Sequence, residues 1–318
     1  MIFETADEHV CRKVPRAPPG ATAGEIRKGL ASQAFDCVTD VAVCEGSSLR
    51  GLLIIEKLLS APEGALAGDL MDPDPPVVSP GTDQEVAAWK AVQHGESSLA
   101  VVDADGTFLG LVPPRRLLSV LLQEHHEDMA RLSGVSKDAL SAKTSLLEPV
   151  KRRLLHRLPW LLVGLAGAFL AAELVSSFEH ALQANLILAF FLPGIIYLAD
   201  AVGTQTETLI VRGLSVGIPI STVVRRELIT GVLIGVVLAA VIFPVALWRW
   251  GNPDVATVLA SSLMVACSIA TLVAIVLPWL LKRMGTDPAF GSGPLATVIQ
   301  DLLSILVFLL FARWILPG

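Results

Sequence analysis

One carboxylate, Asp301, stands inside the apolar run 295–310, and only apolar or weakly polar residues follow it there. An ionised side chain at the depth of a bilayer costs about 2.5–3.5 kcal/mol even on lenient insertion scales. Asp301 is therefore expected to have a functional role, unless it lies near a helix end and reaches water or is protonated. A second polar group falls in 191–208, where Pro193-Gly194 predicts an interrupted helix and Asp200, Gln205 and Glu207 follow as candidate pathway residues. Irregular or polar backbone at such depth is tolerated where it is buried in protein or lines a wet cavity. A third group, Glu124, Glu127 and Asp128, has the i, i+3, i+4 spacing that shares one helix face. Three carboxylates so placed repel one another, and a hard divalent cation held by oxygen ligands would reverse the penalty. A solvated acidic helix is the alternative. His125 and His126 beside them read as exposed and incidental.

The elements that must position these groups divide the chain in two. Of its 318 residues 53% are hydrophobic, too many for an ordinary soluble protein. The excess lies beyond residue 158, whereas charges recur every few residues up to about residue 151. Five spans are expected, over 158–178, 181–201, 228–247, 255–281 and 295–315, with Pro244, Pro278 and Pro294 breaking or beginning helices. Lys151, Arg152, Arg153 and Arg157 precede the first, Arg212, Arg225 and Arg226 separate the second from the third, and Lys282 and Arg283 separate the fourth from the fifth. By the positive-inside rule those ends belong in the cytoplasm, with the N-terminal half, and the C-terminus outside the cell (inner) membrane. A net charge of -6 argues against a nucleic-acid partner, and without a positively charged start followed by an apolar core the first span is expected to serve for insertion. Four cysteines without C-x-x-C spacing read as small apolar residues.

The first half repeats itself at an offset of about sixty: Leu49-Arg50-Gly51-Leu52-Leu53 corresponds to Phe108-Leu109-Gly110-Leu111-Val112. Each copy has an amphipathic helix (23–33, 83–93), a short β-rich run (38–44, 99–102), a small turn, a second strand and a second helix. That order resembles a tandem pair of CBS modules over residues 14–125. Such pairs often bind adenine nucleotides through a Thr or Ser and then an Asp after the second strand. Ile55-Glu56-Lys57 and Pro113-Pro114-Arg115-Arg116 stand there instead, which argues against nucleotide binding.

From Leu118 onward the chain resembles the MgtE magnesium transporters. The matching residues are the Glu-x-x-Glu-Asp helix, Pro159-Trp160-Leu161-Leu162, Phe178-Glu179, Gly203-Thr204-Gln205, Thr208 to Leu214, Gly285-Thr286-Asp287-Pro288-Ala289, Gly293-Pro294-Leu295 and Asp301. The resemblance implies a multi-pass α-helical membrane protein of five transmembrane helices with an N-terminal cytosolic α/β tandem CBS domain. Its divisions would be a regulatory domain 1–122, a connecting plug helix 123–157 and a pore domain 158–318. It implies a homodimer in the lipid bilayer that imports Mg2+ through an interface pore, with Asp301 as pore carboxylate and Asp200 and Glu207 along the pathway. Asp83, Glu85, Glu124, Glu127 and Asp128 would sense cytosolic Mg2+, so that Mg2+ is both cargo and regulator. Three departures stand out: no counterpart of the N-terminal helical domain of many relatives is expected ahead of the CBS pair, Asp200-Ala201 replaces Gly-Asn, and Arg115 and Arg116 replace acidic residues.

No enzyme motif competes, since P-loop, H-E-x-x-H and G-x-S-x-G are all absent. The rival readings are a carrier for another divalent cation, Mn2+ or Co2+, and a membrane-anchored CBS sensor that binds a ligand and only transmits its signal.

Overall fold

A computed structural model describes residues 4–134, 149–289 and 292–316. Much of the expected connecting segment, residues 135–148, lies outside them. The chain forms two compact units, 2–125 and 126–318.

The first unit contains two three-stranded sheets of identical topology. In one, β1 (Arg16–Ala17) runs parallel to β2 (Asp40–Glu45), which pairs antiparallel with β3 (Ser48–Ile54). In the other, β4 (Val77–Val78), β5 (Leu99–Val102) and β6 (Phe108–Val112) repeat that order. Both antiparallel pairs carry a register shift at the same place, between Val43 and Cys44 and between Val101 and Val102. Helices α1 (Ala23–Ser32), α2 (Ile55–Ser60) and α3 (Ala67–Leu70) accompany the first sheet. Helix α4 (Gln84–His94) and the start of α5 (Pro114–Leu132) accompany the second. A capping box starts α1, with Thr22 and Glu25 each satisfying the other's backbone N–H. Ile55-Glu56-Lys57 opens α2 and Pro114-Arg115-Arg116 opens α5.

The repeat is held together by two equivalent crossings. Leu52 exchanges backbone hydrogen bonds with Asp72, at 3.1 and 2.7 Å, and Leu111 does so with Cys11, at 3.1 and 2.8 Å. Beside each crossing stands the glycine that the repeat alignment pairs, Gly51 and Gly110. A Cβ at Gly51 would run into the Asp72 carbonyl, and one at Gly110 into the Cys11 carbonyl. Each position is therefore restricted to glycine by the passage of another backbone.

Asp40 is buried at 1% exposure. Its Oδ2 accepts hydrogen bonds from Ser98 at 2.5 Å and Ser97 at 3.4 Å, while Oδ1 has no partner. Burial raises its pKa, against the lowering effect of the Ser98 and Ser97 hydrogen bonds.

In the second unit five helices are long and apolar enough to cross a membrane among the described residues. They are α6 (Val150–Ser176), α8 (Leu186–Ser215), α9 (Ile220–Trp250), α10 (Pro253–Arg283) and α11 (Ser292–Ile315), with a short α7 (Glu179–Ala184) between the first two. Helix α10 is the most buried of the five and packs against α8, α9 and α11. Its Ala256, Ala266, Ala270 and Ala274 are fully buried, and at Gly235 of α9 a Cβ would meet the Met264 backbone of α10, so small residues bring these helices together. The structure corrects the expected breaks. Helix α8 runs unbroken through Pro193 and Gly194 into Asp200 and Glu207, and Pro159, Pro244 and Pro278 likewise lie inside helices. A proline removes a single N–H, and neighbouring helices supply enough contact to hold the rest of the turn.

Two stability measurements check this account. Gly51→Ala and Gly110→Ala are each expected to destabilise the first unit by about 1–3 kcal/mol, the range for overpacking, read by urea unfolding of the solubilised full chain. Asp40, whose folded pKa lies above its unfolded one, binds its proton more tightly when folded, so its contribution falls as pH rises from about 4 through the raised folded value. Asp40→Asn should therefore raise the melting temperature at pH 7 and flatten the pH dependence above pH 4; an unchanged profile would contradict the assignment.

Candidate functional site

Asp301 lies on α11 one face with Pro294, Thr297 and Val298, at i, i+3, i+4 and i+7. On α8 the same spacing aligns Asp200, Gly203, Thr204, Glu207 and Thr208. A cavity of about 500 Å3 is lined by Trp160, Leu161 and Gly164 of α6, by Thr204, Glu207 and Thr208 of α8, and by Gly293, Pro294, Thr297, Val298 and Asp301 of α11. Leu132 and Ser133, at the end of α5, complete the lining.

The helices approach closely around it. A Cβ at Gly203 would collide with the side chain of Gln300, and one at Gly167 of α6 with Val298. Gln300 is itself 1% exposed and donates to the Ala270 carbonyl of α10 at 3.4 Å. Asp301, its neighbour, is thereby fixed at the cavity wall on a helix wedged between α8 and α10.

Glu207 is 3% exposed and its Oε1 has no hydrogen-bond partner. Asp200 lies within electrostatic reach of both Glu207 and Asp301 and carries its own unpartnered Oδ1. Among the described residues that line the cavity none is cationic. The described residues form no group of three or more His, Cys, Asp or Glu able to enclose a metal ion, so the carboxylates do not build a closed chelate. Mg2+ suits such a wall, because it keeps several of its six waters and is held through one or two carboxylates. Six waters occupy roughly 180 Å3 at about 30 Å3 each, well within the cavity.

The remaining expected residues are distributed differently. Gln205, expected on the pathway, is exposed and does not line the cavity, because the helix continues unbroken and turns it away. Asp83 caps α4, accepting from the Glu85 N–H at 2.9 Å and the Val86 N–H at 3.4 Å. Glu124 accepts a hydrogen bond from Gln84. Glu127 is buried and pairs with Arg131 at 2.5 Å, and Asp128 accepts from Ser215 at 3.4 Å. Arg131 also pairs with Asp287, in the link between α10 and α11. Thr297, Gln300 and Arg131 are not singled out by the sequence, and Asp287 enters there only within the Gly285-Thr286-Asp287-Pro288-Ala289 match. The Glu127–Arg131 half is legible as an i, i+4 pair, whereas Asp287 is brought in by tertiary packing.

Comparison with known proteins bears on the whole arrangement. The MgtE family, described as divalent cation transporter, matches residues 192–311, and the CBS domain matches residues 67–123. The chain is similar to the magnesium transporter MgtE of Thermus thermophilus, 31% identical over 94% of this chain and 67% of that protein. It is also similar to the magnesium transporters MgtE of Bacillus subtilis, at 32% over 71% of this chain, and Enterococcus faecalis, at 28% over 89%, of which it spans 50% and 62% of the length. Among solved structures, the cytosolic domain of the Mg2+ channel MgtE in complex with ATP is 25% identical with a TM-score of 0.35, covering 37% of this chain and 50% of that one. CBSX2 in complex with AMP is 25% identical with a TM-score of 0.33, covering 38% of this chain and 98% of that one. With a similar relative spanned over two-thirds of its length and the transporter profile lying across α8 to α11, this chain, a multi-pass helical membrane protein with a CBS module and no enzyme, belongs to the MgtE family of divalent cation transporters.

Proposed function

We propose that this protein conducts Mg2+ across a membrane, down its electrochemical gradient, along the cavity walled by Asp301 and Glu207. The observation that carries the reading is a pair of carboxylates in a cavity whose described lining has no cationic side chain, inside a bundle of five membrane-length helices. Asp301 meets the hydrated ion, and Glu207 and Asp200 add negative potential along α8. The magnesium transporters to which the chain is similar support the choice of ion.

The pore belongs to a homodimer. The polar stripe of Asp200, Thr204 and Thr208 on α8, with both threonines exposed, suits a wet or protein environment better than lipid. The basic ends, from Lys151 to Arg157, at Arg225 and Arg226 and at Lys282 and Arg283, face the cytoplasm with the CBS pair, and the C-terminus faces out. The domain assignment follows: 1–122 regulatory, 123–157 connecting and 158–318 pore. Cytosolic Mg2+ acting at Asp83, Glu85, Glu124, Glu127 and Asp128 restrains conduction. What supports this is that the last three share α5, whose end reaches the cavity wall. A second reading, transport of Mn2+ or Co2+, draws on the additional carboxylate Asp200.

Growth of a strain lacking its own Mg2+ transporters checks the pore. Asp301→Asn should abolish rescue at low Mg2+ while membrane abundance stays that of the wild type, and rescue equal to wild type would overturn the assignment. Removal of residues 1–122 should leave a conducting protein with weaker inhibition by cytosolic Mg2+. Inhibition of undiminished strength would refute the regulatory half of the reading.

A further inference from the structure

We infer that Arg131 is a built-in cation that latches residues 132–134 at the wall of the cavity, so that part of the restraint on conduction is held by a charge the chain carries itself and adds to that exerted by cytosolic Mg2+. The inference rests on the transport reading above and adds to it a device in the second unit. Arg131 is 5% exposed and reaches two elements at once. Its Nη2 donates to Glu127 Oε2 at 2.5 Å, on the preceding turn of α5, and its Nη1 pairs with Asp287 Oδ2. The other Asp287 oxygen accepts from the Ala289 N–H at 2.7 Å, which fixes the carboxylate in the link that leads into α11.

Two carboxylates brought together in a buried place would repel one another, and the guanidinium between them turns that repulsion into a bridge. The bridge ties the end of α5 to the start of α11. Three consecutive residues then fill the space it defines. A Cβ at Gly293 would strike the Leu132 carbonyl, so α11 touches the backbone there. Leu132 and Ser133 line the cavity. Gly134, at φ +70°, turns the chain where a Cβ would meet Pro294 and Trp160. Residues 132–134 are thus wedged between α6 and α11 beside the cavity that holds Asp301. Removing the charge of either partner frees the wedge to leave.

The test uses the purified full chain in liposomes loaded with a Mg2+ indicator. Arg131→Gln and Asp287→Asn are each expected to raise initial Mg2+ influx several-fold, and Arg131→Lys, which keeps the charge, to stay within about twofold of wild type. A second measurement reads the wedge directly. With the four native cysteines replaced by Ser, maleimide labelling at Ser133→Cys should quicken several-fold when Arg131→Gln is added and not when Arg131→Lys is added. Unchanged or reduced influx together with unchanged labelling in both neutral variants overturns the latch. If the wild type itself moves no Mg2+, the transport reading falls, and labelling alone decides the latch: faster labelling supports it and equal labelling overturns it.

Discussion

Two carboxylates, Glu207 and Asp301, face a cavity whose described lining contains no cationic side chain. Close helix contacts in the second unit hold those two side chains in place. Burying a single ionised carboxylate at mid-bilayer costs about 2.5–3.5 kcal/mol, and two such groups within reach of a third compound the cost. A bundle accepts it only if its other contacts hold the helices rigidly and if the charge is relieved by a counter-ion or a proton. The small-residue contacts between α9 and α10 and the close approaches at Gly167 and Gly203 supply the first condition, and on the transport reading proposed above a conducted cation supplies the second.

The contrast with the end of α5 is instructive. There two carboxylates also converge, but Arg131 sits between them. Breaking such a buried pair by removing one partner costs about 3–5 kcal/mol, because the other charge is left stranded. Inside the cavity a fixed guanidinium would neutralise the site and exclude divalent cations. Outside it the same chemistry makes a structural tie. The two placements separate a carboxylate wall whose described lining has no fixed cation from a joint that has one.

Much of this was legible in the sequence. The five apolar runs anticipate the five helices, although the helices extend further, to 150 at one end of the first and to 215 at the end of the second. The repeat emerged as two sheets of the same topology, and the alignment of Gly51 with Gly110 anticipated equivalent positions whose crossings became visible only in three dimensions. Proline positions misled, because a proline's local penalty says nothing of the neighbours that hold a helix together on either side of it. Asp301 drew attention through an isolated charge in an apolar run. Gln300 and Thr297 beside it did not, since a neutral polar residue in such a run carries no comparable cost. Arg131 and Asp287 belong to segments far apart in the chain, and no local pattern joins them.

Gly203 and Gln300 illustrate how the site depends on contacts rather than on motif. The glycine lets α11 approach α8 until the Gln300 side chain fills the space a Cβ would take, and Asp301 is carried with it. The cavity wall is therefore a product of helix packing, and its acidity is a product of the residues placed on two aligned faces. The most direct test of this account is Mg2+ flux into liposomes that contain only the purified protein and an internal indicator. The account predicts influx that saturates with external Mg2+ and runs down its gradient without ATP. Influx no greater than in empty liposomes, with the protein folded and correctly inserted, would contradict it.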